Sequence, residues 1–126
     1  MKANNDLMNL AFASAHHAAQ RQELIARNLA NADTPRYRAL DLEEFSGSGQ
    51  ATAFTPVATH RGHFLGAGDQ PVFQAQLAGG SLSPNGNDVS LETEMVRGVE
   101  ARRQHDAAMA IYKASLDILR SSLGRR

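Results

Sequence analysis

Apolar positions recur at alternating intervals of three and four at both ends of the chain. Near the N-terminus the series is Met8, Ala11, Ala15, Ala18, Gln22, Ile25 and Leu29, broken at Gln22. Near the C-terminus it is Leu91, Met95, Gly98, Arg102, His105, Met109, Tyr112, Leu116, Leu119 and Leu123, with the polar or small exceptions bunched between 98 and 105. Such intervals keep one stripe of a helix turned toward a partner helix. They predict two long terminal helices, over residues 1–33 and 91–123, forming a coiled-coil-like pair. Ser90 stands where an N-cap belongs, and Glu92 and Glu94 occupy the first turn, where carboxylates interact favourably with the helix dipole. Arg120 suits the opposite end. At 1.5 Å per residue the second helix spans on the order of 50 Å, too long for the small remaining core to wrap.

A second apolar row, Ala107, Ile111, Ala114 and Ile118, runs beside the first. Two readings fit it: a wide face buried within one chain, or one stripe for the chain's own helix and another for a neighbouring subunit.

Between the helices the material changes. Residues 46–90 hold eight of the ten glycines, three of the four prolines and three charged residues, Arg61, Asp69 and Asp88. The runs SGSGQ, GAGD and AGGSLSPNGND break regular elements, and the apolar pieces AFTPV, HFLG and PVFQAQL suffice for one or two isolated strands. The fold expected is therefore mainly α and a single domain over 1–126. Residues 34–90 supply a turn, an extended segment and an irregular Gly/Pro-rich loop with little β.

Composition narrows the function. Leu, Ile, Val and Phe total 26 residues while Ala alone gives 21, which makes a thin core. Thirteen basic and thirteen acidic side chains cancel, without the basic surplus of a nucleic-acid binder. The absence of cysteine excludes disulfides, thiolate zinc sites and thiol catalysis. Apolar runs are far shorter than the roughly 20 residues needed to cross a bilayer, and the opening MKANNDLMNLAFASAHHAAQ lacks the apolar region of a cleaved signal. Neither membrane insertion nor signal cleavage is expected.

Candidate chemistry is sparse. His16 and His17 are adjacent and so point to different helix faces, and His60-Arg61-Gly62-His63 has no cysteine or nearby carboxylate to complete a zinc site. No cofactor is expected. Asp41, Glu43 and Glu44 form no acid pair in a recognisable pocket, and no nucleophile elbow or phosphate-cradling glycine motif occurs, so an enzyme is not expected. Arg21, Arg27, Arg36 and Arg38 are interleaved with Glu23, Asp33 and Asp41, the pattern of a solvated or salt-bridging face.

The most informative stretch is ELIARNLANADTPRYRALDLEEF. Pro35 disfavours helix at Thr34, and Asn31 and Asp33 can fold back onto neighbouring backbone, so the chain turns here. Leu40, Leu42 and Phe45 then alternate imperfectly with Asp41, Glu43 and Glu44, as in a short extended segment lying along a helix. Because Arg tolerates a positive φ poorly, Pro35-Arg36 is expected to form a type I turn.

The run Asn28-Leu29-Ala30-Asn31-Ala32-Asp33-Thr34-Pro35-Arg36-Tyr37 resembles the Asn-x-Ala-Asn-x-x-Thr-Pro-Gly-Tyr pattern of the axial proteins of the bacterial flagellum, its rod and hook subunits, with Arg36 in place of the usual Gly. Gly86-Asn87-Asp88-Val89-Ser90-Leu91-Glu92-Thr93-Glu94-Met95 is similar to the opening of their last helix, and the run through Phe45 is most like proximal rod members. Both flanks are covered and the loop between them is not.

The resemblance implies a structural subunit of the proximal rod in the periplasm-spanning basal body, the shaft that joins the membrane ring to the distal rod and hook. Its partners would be other flagellar rod proteins, the adaptor between membrane ring and rod, and copies of itself. Export would run through the flagellar type III apparatus without a cleaved signal, with helices that order on assembly. Leu24, Ile25, Asn28, Leu29, Met109, Tyr112, Leu116, Leu119 and Leu123 would carry helix packing. Asn31, Asp33, Thr34, Pro35 and Tyr37 would set the turn that aligns subunits. The alternatives are another axial rod or hook subunit, or a free coiled-coil adaptor.

Overall fold

A computed structural model describes residues 2–47 and 73–124. The runs AFTPV and HFLG, the GAGD run and the His60/His63 pair lie outside the described residues. In chain order the elements are α1 (Lys2–Ala30), β1 (Leu40–Leu42), β2 (Ala75–Leu77) and α2 (Leu91–Leu123). The fold is mainly α, two long helices packed on each other with a small sheet at one end. The helices are antiparallel: the Asn4 amide donates to the Ser115 carbonyl at one end, and Asn28 meets Glu94 at the other.

The seam between them is made of small side chains. On α2 the buried positions are Glu94, Ala101, Ala108 and Ser115, seven residues apart, and half-buried Gly98, His105, Tyr112 and Leu119 alternate with them. Across from these lie buried Ala11, Ala15, Ala18 and Ile25. This corrects the expected stripe on α2. It holds at Gly98, His105, Tyr112 and Leu119, but Leu91, Met95, Met109 and Leu123 are exposed and their neighbours Glu94, Ala101, Ala108 and Ser115 are inside. The three-four spacing is legible, but a series begun at Leu91 and Met95 runs for half of its positions beside the true seam, which closely approaching helices fill with Ala and Ser.

On α1 the expected stripe holds through Ala18 and at Ile25, whereas Gln22 and Leu29 face solvent and Leu24 and Asn28 are buried. The cause is a second neighbour. From its midpoint onward α1 packs against β1 as well as α2, so its buried side widens toward the sheet.

Helix α1 stops where the side chain of Asn31 donates to the Arg27 carbonyl (2.8 Å). Beyond it the Tyr37 N–H closes a turn on the Thr34 carbonyl at 3.3 Å. Within that turn Arg36 has φ 61°. Pro at the second position and a positive φ at the third is the type II arrangement, which corrects the type I expectation. The left-handed residue is held from outside: its N–H donates to the Asn85 carbonyl (3.1 Å), and Gly86, itself at φ 79°, lies against the Arg36 side chain.

The segment after the turn lies along α1 as an extended strand. β1 pairs antiparallel with β2, Leu40 opposite Leu77 and Leu42 opposite Ala75, so one strand comes from the PVFQAQL run. At the head of α2 the Ser90 hydroxyl accepts from the Thr93 N–H, as the cap assignment requires.

Candidate functional site

Where the first motif meets the second, a fully satisfied polar junction forms. Asn28 is fully buried. Its amide nitrogen donates to the Leu40 carbonyl (2.7 Å) and to Glu94 Oε2 (3.0 Å). Its oxygen accepts from the Leu40 N–H (3.0 Å) and the Tyr37 hydroxyl (3.2 Å). Two donors and two lone pairs are all used, which is what a buried amide needs. Glu94 Oε1 in turn accepts from Arg97 Nη1 at 2.7 Å. One amide thus fixes α1, the turn and β1 against the first turn of α2.

Asn87 and Asp88 clamp the same region from the other motif. The Asn87 amide nitrogen lies within 2.9 Å of the Asn31, Ala32 and Thr34 carbonyls, receiving the chain as it leaves α1. The Asp88 carboxylate accepts from the Ala39 N–H and from Arg38 Nε (2.8 Å). Burial alone would push that carboxyl up, but these donors outweigh it and hold it below the usual carboxylate value.

Asp41 forms the outer brace. Arg21 grips it with two bonds, Nε to Oδ1 at 2.9 Å and Nη2 to Oδ2 at 3.1 Å, and Arg97 Nε stands 3.6 Å from Oδ2. Burial works against its ionisation, yet the Arg21 bonds, the Leu42 N–H and the Arg97 charge leave its pKa lowered. The Asp41 bond, the largest influence on Arg21, raises that guanidinium's pKa. Of the four arginines in the expected basic strip, Arg21, Arg27 and Arg38 pair within the chain, with Asp41, Glu23 and Asp88.

Beside this junction a shallow cleft of about 480 Å³ is lined by Arg21, Glu44, Phe45, Glu100, Arg103 and Ala107. It presents mixed charges and a single aromatic ring. Among the described residues no three His, Asp or Glu side chains converge as metal ligands.

The larger surface feature is apolar. Leu7, Leu10, Phe12, Leu29, Leu91, Met95, Val96, Val99, Met109, Ile111, Ile118 and Leu123 are each more than two-fifths exposed. On α2 they fall on both sides of the seam. Leu91, Met95, Met109 and Leu123 form one flank, and the second row Ala107, Ile111, Ala114 and Ile118, exposed throughout, forms the other. A small-residue seam therefore leaves the bulky side chains outside, on both flanks of α2.

The anticipated site residues divide among these regions. Leu24, Ile25 and Asn28 are buried, with half-buried Asn31 and Tyr37 beside them, while Asp33, Thr34 and Pro35 form the exposed rim of the turn. The Thr34 hydroxyl donates to Asn31 Oδ1 at 3.2 Å. Tyr112, Leu116 and Leu119 are half-buried toward the other end of the hairpin, and Leu29, Met109 and Leu123 are exposed. Asn87, Asp88 and the buried role of Glu94 were not anticipated. A signal existed in the adjacent Asn87-Asp88 before a helix cap, but its partners lie some fifty residues earlier.

Residues 14–38, which run from the seam of α1 through the turn, match the family described as "Flagella basal body rod protein". The chain is 30% identical over 118 residues to the "Flagellar basal body rod protein FlgB" of Agrobacterium fabrum, a likeness covering 86% of this chain and 85% of that protein.

Proposed function

Because the chain belongs to the FlgB family of flagellar basal body rod proteins and is a structural subunit of the flagellar rod, we propose that it builds the proximal segment of that rod. The uncovered flanks of its helix pair lie against neighbouring subunits. Other rod components are its partners in the basal body, and copies of itself and the adaptor to the membrane ring complete the set. It passes through the flagellar type III apparatus, and its role is mechanical rather than catalytic.

The observation that carries this reading is the placement of bulk: Ala and Ser fill the intrachain seam while Leu, Met, Val and Ile crowd both outer flanks of α2. A chain that buried its large side chains alone would have the reverse. Neighbouring helices laid on both flanks would supply the core that composition denies the monomer.

The deciding experiment is mass spectrometry of purified hook-basal bodies before and after the hook is stripped, joined to crosslinking through cysteines introduced at Met109 and Ile118. The natural chain has no cysteine, so every crosslink reports a designed position. Retention in the stripped rod with intersubunit crosslinks at both positions is expected. Loss of the chain with the hook would refute the proximal placement.

A further inference from the structure

Among the described residues two buried ring nitrogens have no hydrogen-bond partner, Nδ1 of His16 and Nδ1 of His17. His17 is 1% exposed, and its Nε2 lies 2.7 Å from the Glu43 carbonyl oxygen. A carbonyl only accepts, so Nε2 carries the hydrogen and Nδ1 holds a bare lone pair. Around the ring stand Phe73, whose centroid is 4.7 Å away and nearly perpendicular, and Phe45 at 5.6 Å, the two phenyls being 6.1 Å apart. Phe73 reaches across to His16 as well. One imidazole thus ties α1 to the run that follows β1 and to the run that leads into β2.

We propose that His17 is a pH-sensitive latch: neutral, it holds Glu43–Phe45 and Phe73 against α1, and protonated it lets both runs lift away. A second proton must enter at Nδ1, for which no acceptor stands among the described residues and which lies buried beside Phe45 and Phe73. Lifting the two runs hydrates the imidazolium and removes that penalty. The charged groups facing the site do not abolish it. On α1, Arg21 one turn later opposes another positive charge. From β1 the Asp41 carboxylate favours it, but Asp41 is already gripped by Arg21 and approached by Arg97 of α2. Glu44 and, on α2, Glu100 line the cleft with Arg21, where both act on the guanidinium. Burial remains the largest influence and keeps the His17 pKa below its ordinary 6.5. The two runs lie on either side of residues 48–72 in sequence, so a single titration governs both of them. The proposal stands independently of the rod assignment.

The test is amide hydrogen exchange on the full-length chain, held compact by trimethylamine oxide, between about pH 7.5 and about pH 5. The His17 Cε1–H shift is followed in the same samples. After correction for intrinsic rates, protection at residues 43–45 and 73–78 should fall by up to about tenfold per pH unit as pH drops from the ordinary 6.5 toward the lower His17 midpoint of the folded chain, and level off below it. Amides around Ala101 and Ala108 should stay protected. His17→Gln, which can still donate to the Glu43 carbonyl but does not titrate, should flatten the dependence. Protection of the two runs that ignores pH, or a His17→Gln decline parallel to that of the unmodified chain, overturns the latch. Should His17→Gln fail to fold, the unmodified chain decides alone: a loss at 43–45 that runs down to the His17 midpoint and levels off there sustains the proposal, and a loss over any other pH range rejects it.

Discussion

Asn28 and Glu94, sixty-six residues apart in the chain, share a hydrogen bond of 3.0 Å inside the fold. Asn28→Ala leaves the Leu40 N–H and carbonyl, the Tyr37 hydroxyl and one Glu94 oxygen without this partner. Buried groups left unmade cost about 1–3 kcal/mol each, and some will recover water. A net loss of about 3 kcal/mol is expected in denaturant unfolding. Glu94→Gln keeps an acceptor and should cost less. A double-mutant cycle should give a coupling of at least about 0.5 kcal/mol, and simple additivity would show that the pair does not act as a unit.

Asn87 permits a sharper comparison. Its amide hydrogens face three carbonyl oxygens, so Asn87→Asp replaces donors by a carboxylate aimed at acceptors. It should destabilise more than Asn87→Ala, although it is closer in shape. Thermal melts of the two variants side by side would settle the order, and the reverse order would mean that the clamp contributes little.

At Arg36 the backbone is left-handed, a cost of roughly 1–2 kcal/mol for an ordinary residue. Glycine removes that cost but gains freedom in the unfolded chain worth roughly 0.5–1 kcal/mol. Arg36→Gly should therefore be neutral to slightly stabilising, and Arg36→Val clearly destabilising because a β-branched residue fits this region worst. Equal melting temperatures for all three would count against a strained turn.

The helices and the turn could be read from sequence because each is a local pattern: three-four spacing, a Ser90 cap, Asn31 and Pro35 at a helix end. The junction could not, because Asn28, Asn87, Asp88 and Glu94 find their partners across tens of residues and a polar residue in a sequence does not announce whom it meets. Two departures have definite causes. Three-four spacing begun at Leu91 and Met95 leads to Met109 and Leu123, whereas close approach of the helices selects Ala101, Ala108 and Ser115. Arg36 was given a negative φ by its own preference, which the Asn85 carbonyl and the adjacent Gly86 override.

Seam and flank should respond oppositely to substitution. Ala101→Leu forces a large side chain between the helices and should cost about 1–3 kcal/mol. Ile118→Asp, on the exposed row, should change stability by no more than about 0.5 kcal/mol yet abolish incorporation into rods, because assembly would bury an unpaired charge. Circular dichroism of the purified chain and swimming of the complemented strain measure the two effects. Normal motility with Ile118→Asp at native expression would contradict the use of that flank.

Acid should weaken the fold in a defined direction. Asp41 and Asp88 both lie below the ordinary value of 3.8 in the folded chain. Each binds its proton more readily when unfolded, so its contribution is complete above about pH 4 and is lost as pH falls through the folded value. Asp88→Asn should be less stable near neutrality and show a shallower decline below about pH 4, read from urea midpoints at several pH values. An unchanged decline would place the acid sensitivity elsewhere.

The heptad of small side chains along α2 also bears on stiffness. Sliding one helix along the other would lift Ala101, Ala108 and Ser115 from their notches together and tear Glu94 from Asn28 in the same displacement. Two cylinders that cannot shear past each other bend and twist as one beam of greater cross-section, and a beam resists both far better than two loose fibres. A structural subunit of the rod gains that rigidity from its smallest residues.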